Sequence, residues 1–254
     1  MARRVPEGPP PPPVVQRLRI RYAKRGRLRF TSHRDFARAF ERALRRAEVP
    51  MGYSAGFSPH PKISYMGASP TGVASEAEYL EIGVAREVDP SQLLAVLDAA
   101  LPEGLDVLEV VVAAGGSLAE RMEASHWHIE LPGVDEAAAE AAWAAVLASP
   151  ALEVERLTKT GRRMVDVRSA IVGGQVVGAA DAQDHQPRAI LEVVVRQVTP
   201  AVRPDDVLAA MRLAAGLALS APPLAVRVAQ GPLDDSGAVG DPLVADRAHA
   251  SPSP

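Results

Sequence analysis

The chain has 254 residues, 47% of them hydrophobic, which is enough to bury the cores of two ordinary domains. Cysteine is absent, which excludes disulfides, thiolate zinc sites, cysteine nucleophiles and cysteine-ligated iron–sulfur clusters and suits a cytoplasmic protein. The formal charge of −3 hides an asymmetry: 15 of 28 Lys and Arg fall in the first 65 residues against only Glu7, Asp35, Glu41 and Glu48, so that block carries +11 and the rest −14, a separation that points to a polyanionic partner.

In chain order, the proline run Pro6–Pro13 makes residues 1–15 an extended, disordered tail. Apolar and basic residues alternate over Arg17–Tyr22, which predicts a strand that places Arg17, Arg19 and Arg21 on one side. Lys24, Arg25, Arg27 and Arg29 surround Gly26. Phe36, Phe40, Ala43, Leu44 and Ala47 recur at helical spacing and predict a helix over Asp35–Ala47, begun by Ser32 as N-cap with Asp35 three residues later. At about 100° per residue, Arg34, Arg38, Arg42, Arg45 and Arg46 share the opposite side of that helix. Strand-like segments at Tyr53–Ala55 and Ile63–Met66, a strand at Glu78–Val84, a helix at Pro90–Ala100 and a strand at Leu105–Val112 complete a βαββαβ order over residues 16–113.

A glycine-broken joint at Ala113–Ala124 leads to a second block, residues 124–230. It has a strand at His126–Leu131, a helix at Val134–Leu147, strands near Leu152–Leu157 and Arg163–Val167, and a Gly-rich loop holding Gly173 and Gly174. A strand at Ala189–Val198, a helix at Pro204–Leu217 and a strand at Leu224–Val228 follow. The fold class expected is α+β, with tandem ferredoxin-like domains whose antiparallel sheets are each covered by two helices. Residues 231–254, poor in large apolar side chains, are expected to be a disordered tail. No apolar run approaches the roughly eighteen residues of a membrane span, and no apolar leader is present, so neither membrane association nor secretion is expected.

The cations of the first block converge from several elements in this reading, to hold phosphate groups. The alternative is a solvated face, since Arg is the default cation of this chain. The segment Tyr53-Ser54-Ala55-Gly56-Phe57-Ser58-Pro59-His60-Pro61-Lys62 reads as a stiff exposed loop, in which Tyr53 or Phe57 stacks a base while His60 and Lys62 contact phosphate or ribose. Its rival buries Phe57 as a core plug. His33 sits at a helix N-terminus, where backbone amides favour an anion. In the second block Lys159, Arg162, Arg163 and Arg168 form a basic hairpin that either extends the binding track or simply faces solvent. Asp166 shares a strand side with Arg168 and is expected to pair with it. His126 and His128 also share a strand side, but two ligands do not make a metal site, so both are read as structural and no metal or cofactor is expected.

The run Lys24-x-Gly26-x-Leu28-Arg29-Phe30-x-Ser32-His33-x-Asp35, followed by Arg38 and by Tyr53 to Ser64, resembles the radical SAM-linked protein family, a domain of unknown function also found fused to cobalamin-binding radical SAM proteins. Glu78-Tyr79 and Asp166-Val167-Arg168 also match. The resemblance implies work beside a radical SAM enzyme on tRNA or rRNA, with the radical chemistry in the partner, because the cysteine triplet is missing here. The reading of the whole is therefore an RNA-binding accessory protein without catalytic activity of its own. The alternatives are a metal-independent endoribonuclease with His33 or His60 as base, and a protein-docking adaptor.

Overall fold

The computed structural model describes residues 11–158, 161–178 and 187–250. The chain divides into two compact units: one runs to Ala119 and is resumed from Pro242, the other spans Glu120–Asp241. Each is a mixed α+β body built on an antiparallel sheet.

In the first unit, strand β1 (Gln16–Lys24) leads to helix α1 (His33–Arg46), strands β2 (Ile63–Met66) and β3 (Ala74–Val84), helix α2 (Pro90–Ala100) and strand β4 (Val107–Val112). The strand order is β4-β1-β3-β2, with antiparallel neighbours throughout. Strand periodicity sends Leu18, Ile20 and Tyr22 into the core with Phe36, Phe40 and Leu44 of α1 and Leu93 and Leu97 of α2. Tyr22 and Phe36 stack with ring centroids 4.3 Å apart. The same periodicity puts Arg17, Arg19 and Arg21 on the other side of β1 from the helices.

Helix α1 begins as its sequence predicts: Ser32 Oγ accepts from the Asp35 amide at 3.2 Å and donates to Asp35 Oδ2 at 2.7 Å. Such caps are worth about 1 kcal/mol. The expected strand at Tyr53–Ala55 is reduced to a single bridge between Tyr53 and Pro61, because Pro59 and Pro61 have no amide to extend a ladder. The loop is pinned at its neck instead. The Ser54 amide donates to the His60 carbonyl at 2.9 Å, and the His60 amide donates to Ser54 Oγ at 3.0 Å.

In the second unit, β5 (Ala124–Pro132), α3 (Glu136–Ala148), β6 (Glu153–Thr158), β7 (Gly161–Asp166), β8 (Ile171–Gly178), β9 (Arg188–Arg196), α4 (Pro204–Ala215) and β10 (Ala225–Gly231) follow in turn. The strand order is β10-β5-β9-β8, again antiparallel, while β6 and β7 form a separate two-stranded hairpin. The expected Gly-rich loop is thus a strand. A Cβ on Gly174 would lie 3.0 Å from Trp143 Cζ2 and 2.4 Å from the Glu192 carbonyl oxygen, so the glycine admits the indole, whose Nε1 donates to the Gly174 carbonyl at 3.0 Å.

The expected disordered tail from residue 231 also gives way to structure. Leu233 bridges Val239, and a last helix, α5 (Val244–Ala250), returns to the first unit, where Leu243 and Asp246 are fully buried. Ion pairing does there what scarce apolar area does not. Arg247 of α5 holds Glu109 of β4 at 2.7 Å, and Asp246 holds Arg19.

Candidate nucleic-acid interface

The structure sorts the cations of the first unit into two groups. Arg19 is only 1% exposed; its Nη1 donates to both Asp246 oxygens at 2.7 and 2.9 Å, its Nε to Glu81 at 3.0 Å and its Nη2 to the carbonyls of Gly115 and Gly116 at 3.1 and 2.6 Å. Burial alone lowers the pKa of this guanidinium, but the bonds to Asp246 and Glu81 outweigh it and hold the pKa raised. Arg17 pairs with Glu81 at 2.8 Å, and Arg21 donates to the Glu76 carbonyl at 2.9 Å. Lys24 is buried with Nζ near the Ser69 and Pro70 carbonyls at 3.4 and 3.2 Å, so it is a structural residue and not the phosphate ligand expected. Arg25 is gripped by Glu76 at 2.6 Å and Asp106 at 2.7 Å; the Glu76 hydrogen bond leads in raising its pKa, and its charge is cancelled locally. The expected convergence of all these cations does not occur: strand alternation carries the β1 set to the side away from α1, where carboxylates meet it.

The second group is α1. Arg34, Arg38, Arg42, Arg45 and Arg46 are all exposed. Arg38 and Arg45 approach Asp35 and Glu41 only to 4.0 Å, Arg46 donates weakly to the Ala100 carbonyl at 3.4 Å, and Arg34 and Arg42 have no partner among the described residues. Exposed helix pairs of this kind contribute about 0.3–0.5 kcal/mol, too little to hold the side chains in place. Arg27 is exposed and unpaired among the described residues, and Arg29 lies 4.7 Å over the exposed ring of Phe30.

The loop adjoins this helix. A cleft lined by Glu41, Arg45, Met51, Tyr53, Pro59 and His60 joins α1 to the loop, and a second one, with a volume of about 380 Å³, is lined by Arg17, Ser54, His60, Lys62 and Glu81. His60 borders both. Phe57 is 70% exposed, so it is not a core plug but an aromatic ring presented at a pinned loop; Tyr53, His60 and Lys62 are exposed as well. His33, in the first turn of α1, meets Tyr65 edge-on at 4.9 Å. Neither His33 nor His60 has a carboxylate partner among the described residues that would orient it as a base.

Sequence reasoning missed Tyr65. Its hydroxyl is buried without a hydrogen-bond partner, and its pKa is raised, first by burial and then by the charge of Glu41. Its alternation with Ile63 in β2 was the available signal, and both residues pack on the core.

In the second unit, Lys159 lies outside the described residues. Arg162 pairs with Glu155 at 3.2 Å, Arg163 is exposed, and Arg168 donates to the Leu147 carbonyl at 3.2 Å. Arg168 does not pair with Asp166, which accepts from the Ser169 amide at 3.3 Å at the 3₁₀ turn after β7. His126 and His128 do share one side of β5, and β9 adds a third donor, Glu192. Burial, then the charge of His128, lowers the pKa of His126 against a smaller opposite pull from Glu192.

None of the described helices is long and apolar enough to cross a membrane. The chain has no match among curated proteins. Among solved structures it is similar to an unknown protein from Galdieria sulphuraria, with 15% identity, a TM-score of 0.24, and coverage of 84% of this chain and 98% of that one. It is also similar to the first two RRM domains of yeast poly(U)-binding protein, with 13% identity, a TM-score of 0.19 and the same coverages. Residues 17–204, well over half of the chain, match the family described as "Uncharacterized protein conserved in bacteria (DUF2344)", and the chain belongs to that family.

Proposed function

We propose that this protein is an RNA-binding accessory factor that presents tRNA or rRNA to a radical SAM enzyme in the cytoplasm. The observation that carries the reading is the α1 surface: five exposed guanidiniums with no strong local partner, beside a pinned loop that offers Tyr53, Phe57, His60 and Lys62. A row of cations tracks a phosphate backbone, and an exposed aromatic at its end supplies a stacking platform for an unpaired base. The carboxylate-bound cations of β1 and its neighbours take no part.

The arrangement proposed for the two units is tandem ferredoxin-like. The order β4-β1-β3-β2 and its counterpart β10-β5-β9-β8, each with two helices between its strands, support it. The radical SAM partner rests on the resemblance of the Ser32-His33 and Pro59-His60-Pro61-Lys62 segments, and the absence of cysteine assigns any cluster to that partner.

The test is fluorescence anisotropy with a labelled tRNA and a labelled single strand between low and physiological salt. Log affinity falls linearly with log salt concentration, and the triple variant Arg38→Gln/Arg42→Gln/Arg45→Gln lowers the slope by about 2 to 3 units. Phe57→Ala costs about 1–3 kcal/mol on the single strand. Affinity that is flat with salt, or a triple variant that binds like the parent protein, overturns the reading.

A further inference from the structure

Among the described residues, one cluster of metal-ligating side chains stands apart from the cationic surface, on the sheet of the second unit. His126 and His128 are two residues apart on β5 and project to one side, while Trp127 and Ile129 between and after them are buried. Strand β9 pairs with β5 in a register that sets Glu192 directly opposite His128. The His128 Nε2 to Glu192 Oε1 distance is 3.2 Å, the imidazole centroids are 5.1 Å apart, and one donor atom from each of the three residues lies within 4.8 Å of the others. Small side-chain rotations bring such donors to the roughly 2.0–2.2 Å that zinc takes from nitrogen and oxygen.

Two features separate this cluster from a chance ion pair. Gln175, opposite Glu192 on β8, donates Nε2 to Glu192 Oε2 at 2.8 Å and so leaves Oε1 directed at the histidines. Two of the donors, His126 and Glu192, also line an open cleft with Val172, Gly173, Gly174 and the Ser236–Ala238 turn; a Cβ at Gly173 would meet nothing within 4 Å. Coordination positions beyond the three protein ligands therefore stay accessible to water or a small oxyanion.

We propose that His126, His128 and Glu192 form a three-ligand site for a first-row divalent cation of the zinc type, with its remaining coordination positions open to the cleft. Two imidazoles and one carboxylate suit zinc, cobalt or ferrous iron over magnesium or calcium, which favour oxygen. Three protein ligands with an exchangeable position are the pattern of catalytic metal sites, whereas structural ones are closed by four. Gln175 is a positioning residue for Glu192.

The full chain, stripped with chelator, is titrated with Zn²⁺ by calorimetry and with Co²⁺ by visible absorption. One equivalent binds, with cobalt bands of a low-coordinate nitrogen and oxygen site, and Zn²⁺ raises the melting temperature. His126→Gln, His128→Gln and Glu192→Gln each weaken Zn²⁺ by well over tenfold, and Gln175→Ala weakens it about tenfold. The three ligands are only half-buried, so circular dichroism of these variants matches the parent. Absence of a one-to-one Zn²⁺ isotherm in the parent protein overturns the proposal, as does an isotherm that survives all three ligand substitutions.

Discussion

Strand β1 and helix α1 spend arginine in opposite ways. On β1, Arg19 is enclosed by Asp246, Glu81 and two glycine carbonyls, and Arg17 shares Glu81. On α1, five arginines stand in solvent, with no polar contact to the described residues shorter than 3.4 Å. The difference teaches where a cation can act on a ligand: a guanidinium whose donors are already filled contributes fold, and one whose donors are open contributes recognition. Both sets sit in the same run of positive charge, and only position on strand or helix separates them.

The largest effect that tests this contrast is on the enclosed side. Asp246→Asn removes the charge that faces Arg19 while the shape stays nearly constant. Breaking a buried pair by removing one partner costs roughly 3–5 kcal/mol, and because Glu81 still neutralises Arg19, the lower end of about 3 kcal/mol is expected. The urea midpoint should fall accordingly with RNA affinity at low salt unchanged. A midpoint that does not move would show that the enclosed arginine is not a fold element, and the contrast would fail.

That pair was illegible in the sequence for a physical reason. Arg19 and Asp246 are 227 residues apart, and the segment around Asp246 has too little apolar area to announce a docked helix. The α1 surface was legible because helical periodicity is local: Phe36, Phe40 and Leu44 mark one side and so define the other. Helix α2 has the bounds its sequence predicts, Pro90–Ala100, and Leu93 and Leu97 mark its buried side. The partition of Lys24 and Arg25 away from the interface was not readable, since their partners Ser69, Pro70, Glu76 and Asp106 come from other elements. Glu192 escaped for the same reason: two histidines on β5 become three donors only when the register with β9 is known.

A middle-sized effect tests what holds α1 in place if its arginines do not. The helix rests on its apolar side and on the Ser32 cap, so Ser32→Ala should cost about 1 kcal/mol by leaving the Asp35 amide without its acceptor. Asp35 also loses its 2.7 Å bond from the Ser32 hydroxyl. Thermal melts monitored by circular dichroism measure this. By contrast Arg42→Gln, on a side chain with no partner among the described residues, should shift stability by no more than about 0.5 kcal/mol. Equal losses from the two substitutions would mean that the exposed arginines carry structural load after all.

The smallest effect concerns the acid within the cationic side. Glu41 lies 4.0 Å from Arg45, lines the cleft with Tyr53 and His60, and adds to the rise in the Tyr65 pKa that burial leads. For stability it is nearly neutral, because an exposed pair at this spacing contributes about 0.3–0.5 kcal/mol. For a polyanion it is a repulsive charge beside the phosphate track, so Glu41→Gln should tighten RNA binding by a similar 0.3–0.5 kcal/mol, about twofold, at low salt. The gain should shrink as the Debye length falls below roughly 10 Å at higher ionic strength. Anisotropy titrations at two salt concentrations measure both numbers. Weaker binding of the variant would mean that Glu41 orders Arg45 for the ligand, and that the α1 arginines are organised by their acids much as Arg19 is, which would erase the distinction between the two sets.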